Sequence, residues 1–570
     1  MIYLSSNARQ LLKARYLRQT DGIETPDDLF KRVARHIVTV ENENNDLWFD
    51  RFYKVMRNLE FLPNSPTLMN AGLPNGQLSA CFVLPVEDNL NTIFTTLKNA
   101  ALIHHNGGGT GYNFSKIRPK DDFISSSEGS SAGPVSFMKI YNTATEYVKQ
   151  AGKRRGANMG ILNINHSDIE EFISSKSDLQ SLQNFNISVG ITNDFMHALE
   201  EDKDWSLVNP RTNKISKTLS AKKLWDSIIE QALKTGDPGL IFLDTINQNN
   251  PLKKLGKIQS TNPCGEVPLF NYESCNLGSI NLKKMILQNS THIEIDWKKL
   301  ERTIIIAIRF LDNVISCNYF VLPNIEEITL SNRKIGLGVM GWAELLILLD
   351  IPYASNKAVE LAETVMKFIH EKSYNASQSL AKKRGCFPSW KQSSFAPHMI
   401  LRNATCNSIA PTGSISIIAN TSYAIEPLYA LAFKRTGILE NNTQMEINTT
   451  FIDKMKSLGL WSEQLRSEII EKGSIQHVKN IPKHIKNLFK TSLEISWKYH
   501  LLHQSAFQRY TDNAVSKTIN LPNTTTFKEV SEIYKTAWNY NLKGITIYRN
   551  GSRDNQVLQL CGFNKEDVCS

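Results

Sequence analysis

Short apolar runs at 80–86, 160–164, 187–191 and 240–243 alternate with longer amphipathic segments such as 221–234 and 297–315, and this alternation restricts the fold more than any other feature. Runs so short suit buried strands, while apolar positions at helical spacing suit helices packed over them. The pattern predicts an α/β domain. Ahead of it the chain reads as helices: Leu29, Val33, His36 and Ile37 share one helical face, as do Phe49, Phe52, Val55, Met56 and Leu59. A stretch of Pro, Asn, Ser and Gly at 63–76 marks a boundary. Residues 551–570 are polar and aperiodic, which predicts a tail. The expected division is a helical region at 1–62, a main domain at 63–550 and a tail at 551–570.

Lys and Arg outnumber Asp and Glu by 65 to 55, with the excess spread along 570 residues. Such a balance suits anionic ligands and equally a solvated basic surface. The first eighteen residues carry Arg9, Lys13, Arg15 and Arg18 and lack the apolar core of a signal peptide. The most apolar stretch, 335–349, is interrupted by Gly336, Gly338, Gly341 and Glu344 and is shorter than the roughly 20 residues a membrane span needs. A cytoplasmic location is expected, with no membrane and no nucleic acid as partner. In a reducing compartment, eight cysteines at long spacings are not expected to form a structural disulfide framework.

The segment Asn262-Pro263-Cys264-Gly265-Glu266-Val267-Pro268 presents a carboxamide, a thiol and a carboxylate within five residues, on a loop made rigid by two prolines and a glycine. Such a trio can orient a polyol, with sulfur reacting and the carboxylate moving a proton. Read singly, Cys264 would be a buried thiol in a turn. The segment Ala410-Pro411-Thr412-Gly413-Ser414-Ile415-Ser416 follows a short polar strand and opens an apolar helix, where amide N–H groups and hydroxyls can meet a phosphate or simply cap the helix. Gly107-Gly108-Gly109-Thr110-Gly111 permits close backbone approach. Gly336-Leu337-Gly338-Val339-Met340-Gly341 fits a dinucleotide fingerprint literally, but the polar turn at 330–334 stands where that fingerprint needs a strand. His370-Glu371 lacks the second histidine of a zinc helix, and no metal site is expected.

The 262–266 motif, a second cysteine eleven residues on at Cys275, and the run Leu277-Gly278-Ser279-Ile280-Asn281-Leu282 resemble the finger loop of ribonucleotide reductases. The resemblance extends from about residue 50 to 560, with several motifs in the family's order. It implies a ten-stranded α/β barrel, two five-stranded parallel halves set antiparallel, with the finger loop through its centre. It further implies that Cys264 carries a thiyl radical that removes the ribose 3′-hydrogen, that Glu266 deprotonates the 3′-hydroxyl, and that Asn262 hydrogen-bonds the sugar. Cys81 and Cys275 would form a disulfide as the 2′-hydroxyl leaves, and Cys561 and Cys569 on the tail would regenerate them, although seven residues between the tail pair exceed the family's usual spacing. Substrate would lie against Ser65, Gly108, Gly109, Pro411, Thr412, Gly413, Ser414 and Ile415. A dNTP or ATP effector would meet Asp88, Arg118 and the Arg154 and Arg155 loop. Here the 336–341 run is expected as a glycine-rich helix packed in the barrel.

Reductases that borrow a radical from a metal subunit carry two adjacent tyrosines near the C-terminus; segment 542–553 has only Tyr548. That segment, with Cys81-Phe82-Val83-Leu84-Pro85-Val86-Glu87-Asp88 and the 154–160 run, resembles the adenosylcobalamin-dependent class, which implies adenosylcobalamin as cofactor. No glycyl-radical motif closes the chain, and the helical start is too short for an ATP-cone domain. The remaining expectations are a ribonucleoside diphosphate or triphosphate substrate, thioredoxin or glutaredoxin as reductant, and a homodimer. Two alternatives are a large subunit needing a metal-radical partner and an inactive nucleotide-binding regulator.

Overall fold

The computed structural model describes residues 2, 4–19, 24–124, 128–150, 154–288, 293–439, 442–552 and 558–559. The chain begins with helices Ser6–Arg15, Pro26–Val38 and Asn45–Arg57. The second starts where Thr25 accepts a hydrogen bond from the Asp28 amide and Asp28 accepts one from the Thr25 amide, with Pro26 preset at the first helical position. Its expected apolar face is buried through Leu29, Val33 and Ile37, and that of the third helix through Phe52, Val55 and Met56.

Five parallel strands follow, β1 (Cys81–Val83), β2 (Gly109–Asn113), β3 (Asn158–Asn163), β4 (Phe185–Ile191) and β5 (Gly239–Phe242), side by side in that order. The second half pairs β6 (Glu273–Asn281) in parallel with β7 (Ile335–Met340), and β8 (Thr518–Leu521) in parallel with β9 (Gly544–Arg549). Between β7 and β8 lies the segment 407–409, bridged in parallel to Leu337 on one side and to Val515 on the other. Strand β6 runs antiparallel to β1 and β9 antiparallel to β5. Two opposed parallel halves thereby close on each other, which is the expected ten-stranded barrel, with one member present as a bridged segment.

The structure corrects two local readings. The glycine run expected as a helix is β7, every residue of it buried. A Cβ on Gly336 would fall 2.7 Å from the Ser408 Cβ, and one on Gly338 would fall 2.2 Å from the Ser408 carbonyl oxygen. Two glycines two positions apart on one strand face let the 407–409 segment approach. The polar turn before it is also interior: Lys334 pairs with Glu273 at 2.8 Å and Arg333 with Asp312 at 2.8 Å. In the loop read at 63–76, residues Ser65–Asn70 form a helix, capped where Asn64 accepts from the Thr67 amide. Among the described residues no helix is long and apolar enough to cross a membrane.

Buried charge ties the N-terminal helices to the barrel. Glu41 accepts from Arg309 at 2.7 Å, from Asn313 at 2.8 Å and from Arg384 at 2.7 Å. Burial by itself would raise its pKa, but these donors outweigh burial and hold the carboxyl at about 2. A depressed carboxylate stabilises the fold above its unfolded value near 4.5 and loses that contribution as pH falls toward about 2. We expect Glu41→Gln to destabilise the protein by on the order of 3 kcal/mol at neutral pH, because it takes the carboxylate from Arg309 and one of two carboxylates from Arg384, which keeps Asp312 at 3.0 Å. In denaturant melts the gap to the parent protein should close between pH 4.5 and pH 2; a gap that is constant with pH would contradict the ion-pair origin.

Candidate functional site

Ser260–Thr261 and Pro268–Leu269 pair as the two arms of a hairpin inside the barrel. Both halves of the wall hold it. Asn186 on β4 donates to the Pro263 carbonyl at 2.8 Å, while Ser408 Oγ and the Ala514 amide donate to the Glu266 carbonyl at 2.9 and 2.8 Å. Backbone inserted so deeply must have its polar groups met by protein, and these contacts meet them. The glycines at 109 and 111 make the room: a Cβ on Gly111 would lie 1.7 Å from the Thr261 carbonyl oxygen, and one on Gly109 would lie 2.9 Å from Pro263 Cγ. At the tip, Gly265 takes φ +79° with open space around it, so backbone conformation alone calls for glycine there.

Within the hairpin, Asn262 and Glu266 are buried and Cys264 is exposed. The Asn262 side chain donates from Nδ2 to Glu266 Oε2 at 2.7 Å, lies 3.1 Å from Cys81 Sγ, and accepts from the Val267 amide at 3.0 Å. Cys81 Sγ lies 4.0 Å from Glu266 Oε1. Cys81 on β1 is the direct antiparallel partner of Cys275 on β6. Opposed residues in such a pair have Cα atoms about 4.5–5.5 Å apart, within the span a disulfide bridges. Both are thiols here. Burial, reinforced by the Glu273 carboxylate, pushes the Cys275 thiol far above its ordinary range, so at neutral pH it stays protonated.

A cavity of about 310 Å³ opens over this group. Cys81, Asn262, Cys264 and Glu266 line it together with Ser65, Gly108, Gly109 and the 411–415 turn, so residues drawn from five separate segments of the chain line one cavity. Cys275 sits behind Cys81 and is not part of the lining. The turn is shaped by Thr412, at φ +60°, whose Oγ1 accepts from the Ala424 amide at 2.8 Å. Sequence reading missed Arg15 and Tyr16, which reach the same cavity from the first helix, Tyr16 Oη lying 2.8 Å from Ser65 Oγ. It also missed the support from Asn186 and Ser408, for which no local signal exists.

Cys264, Pro263 and Gly413 also line a second cavity of about 680 Å³. Its walls come from β4, β5, β8 and β9 and from Tyr423, Glu426, Tyr429, Lys517 and Tyr548. Lys517 is fully buried and pairs with Glu426. Away from both cavities, Asp88 accepts from Arg118 Nε at 2.8 Å and from its amide at 3.1 Å. Arg154 and Arg155 form a two-residue strand paired with 149–150. Cys561 and Cys569 lie outside the described residues. Among the described residues no cluster of His, Cys, Asp or Glu could hold a metal ion.

The family model of the ribonucleotide reductase barrel domain matches residues 79–548, and that of the ribonucleotide reductase all-alpha domain matches residues 3–76. The chain is 48% identical to the vitamin B12-dependent ribonucleoside-diphosphate reductase of Thermoplasma acidophilum, covering 97% of this chain and 80% of that protein. It is 45% identical to the protein of the same name from Mycobacterium tuberculosis, again over 97% of this chain and 80% of the relative. Among solved structures, the Actinobacillus ureae class Id ribonucleotide reductase alpha subunit superposes with a TM-score of 0.80 at 26% identity, covering 96% of this chain and 97% of that one.

Mild oxidation of the protein with diamide is expected to join Cys81 to Cys275, read by peptide mapping; a different pairing would contradict the register. Gly111→Ala should leave a folded chain whose hairpin is displaced, read as a changed alkylation rate at Cys264. An unchanged rate would show that the wall yields to the added methyl.

Proposed function

Because this chain belongs to the ribonucleotide reductase family over both its helical and its barrel regions, we propose that it is an adenosylcobalamin-dependent ribonucleoside-diphosphate reductase, replacing the ribose 2′-hydroxyl with hydrogen. One observation carries the reading: the register that sets Cys81 opposite Cys275, on the wall of the cavity that Cys264, Asn262 and Glu266 also line. Relatives at 45–48% identity are named vitamin B12-dependent, whereas a Chlamydia muridarum relative named only as a subunit alpha stands at 29%. This favours the cobalamin reading over a large subunit with a metal-radical partner. The full set of three cysteines, carboxylate and carboxamide in one place speaks against an inactive nucleotide-binding regulator.

The residues divide the work as follows. Cys264, as a thiyl, takes the 3′-hydrogen and later returns it, while Glu266 receives the 3′-hydroxyl proton. Asn262 holds the Glu266 carboxylate in place and offers its amide to the sugar. Cys81 and Cys275 together supply two electrons and two protons; the 2′-oxygen leaves as water, a hydrogen takes its place on carbon, and the two sulfurs become a disulfide. Ser65, Gly108, Gly109 and the turn of Pro411, Thr412, Gly413, Ser414 and Ile415 hold the nucleotide.

The second cavity fits the cofactor, since Cys264 also lines it and it mixes apolar walls at Ile187, Leu240 and Ile417 with hydrogen-bonding groups at Ser188, Thr518 and Asn520. Tyr429, Tyr548, Glu426 and the backbone at 544–548 would hold it. When bound, adenosylcobalamin supplies the initiating radical. No histidine lines this cavity among the described residues.

The paired Asp88 and Arg118, together with Arg154 and Arg155, are read as the site for the nucleotide effector. Leu90, Phe94 and Leu102 on helix Leu90–His105 and Ile140 and Tyr147 on helix Gly133–Tyr147 are exposed apolar groups, which support a homodimer through this face. Cys561 and Cys569 are read as the thiols that pass electrons from thioredoxin or glutaredoxin to the Cys81–Cys275 disulfide. A chemistry that depends on reduced thiols suits the cytoplasm.

Cys264→Ser is expected to abolish deoxynucleotide formation while nucleotide binding persists, assayed with a ribonucleoside diphosphate, a dithiol and adenosylcobalamin; substantial residual turnover would overturn the assignment. Turnover by the chain alone should require adenosylcobalamin and no second subunit. Replacing Cys561 and Cys569 together by Ser should cripple thioredoxin-driven multiple turnover and spare a single turnover by pre-reduced enzyme, and equal loss in both assays would refute the shuttle.

A further inference from the structure

The lining of the cavity over the thiols is of two chemical kinds. Cys81, Asn262, Cys264 and Glu266 bring sulfur, carboxamide and carboxylate, while Ser65 and the 411–415 turn bring hydroxyls and backbone amides. Beside that turn a Cβ added to Gly413 would meet nothing within 4 Å, so the turn faces open space. Arg15 and Tyr16 border the same space. Tyr16 fixes their place, since its hydroxyl lies 2.8 Å from Ser65 Oγ and its side chain is buried. Helix Ser6–Arg15 also packs against helix Gly413–Ala419, which begins at the turn.

Charge gives this position its meaning. Among the described residues that line the cavity, Arg15 carries the only basic side chain and Glu266 the only carboxylate. Their neighbours differ: Glu266 is bonded to Asn262 and close to Cys81, whereas Arg15 adjoins Tyr16, which reaches Ser65. A ribonucleoside diphosphate brings its phosphates into this space, and backbone amides and hydroxyls offer dipoles but no full charge. A guanidinium, with its planar fork of donors, matches a phosphate in two contacts at once.

We propose that Arg15, supplied by the N-terminal helical region, binds the terminal phosphate of the substrate and sets the preference for a diphosphate over a monophosphate. This rests on the reductase reading, because it takes the nucleotide to lie with its sugar at Cys264 and its phosphates at the turn. The helical region is then part of the substrate site, and its docking through Tyr16 and Ser65 controls whether the phosphate end is complete.

Calorimetric titration of the full chain with cytidine 5′-diphosphate and cytidine 5′-monophosphate tests this, comparing the parent protein with Arg15→Ala and Arg15→Lys. For Arg15→Ala the diphosphate should bind on the order of 10-fold to 100-fold more weakly, and its advantage over the monophosphate should disappear. Arg15→Lys should recover part of that advantage, and deoxynucleoside triphosphate binding at the Asp88 and Arg118 site should remain, showing an intact fold. Equal loss of both nucleotides, or diphosphate affinity within twofold of the parent, would overturn the proposal. If the parent protein bound neither nucleotide, the reductase reading itself would fall and this inference with it.

Discussion

A barrel of this width has a centre that side chains of the wall do not fill, and a strand hairpin occupies it. That choice imposes one condition from which the rest follows: the polar backbone at 260–269 must find partners from the wall at every point where water is excluded. Asn113, Asn186, Ser408 and the Ala514 amide answer the Gln259, Pro263 and Glu266 carbonyls. Gly109 and Gly111 give up their side chains so that the two backbones can come that close. Held from both sides, the tip can present one exposed sulfur while the neighbouring carboxylate and carboxamide stay buried and bonded to each other. Rigidity at the tip is thus a property of the wall as much as of the two prolines in the loop.

The sequence made the architecture legible where periodicity is local. Helices at 26–38, 45–57 and 297–317 and strands at 185–191 and 239–242 fall on segments whose apolar spacing had marked them. The chemistry was legible because Asn262, Cys264 and Glu266 are packed into one short motif. What was hidden depends on pairing across the fold. Nothing in the 193 residues between Cys81 and Cys275 indicates that they are register partners. The glycines of β7 were expected in a packed helix, and the reason they form a strand, the close approach of Ser408 to Gly336 and Gly338, exists only in three dimensions. Lys334 looked like surface for a similar reason, its partner Glu273 lying far away in sequence.

Charge is distributed according to task. The deep pairs, Glu41 with Arg309 and Arg384, Asp312 with Arg333, and Glu273 with Lys334, join segments distant in the chain and fix how helices and barrel seat on one another. Such pairs give little net stability against well-packed apolar groups but penalise any arrangement that leaves one member alone. The cavity over the thiols, by contrast, is almost free of fixed charge, with one carboxylate, Glu266, and one guanidinium, Arg15, among its described lining residues. A low density of ions lets a few oriented dipoles act strongly on a bound sugar.

The unequal placement of the two partner sulfurs has a kinetic consequence. Cys81 lines the cavity, while Cys275 is buried behind it with its thiol pushed toward the protonated form. On the proposed reaction, a thiol arriving to open the Cys81–Cys275 disulfide would reach the front sulfur through the room the product has left. Nucleotide and reductant would then occupy that space in turn.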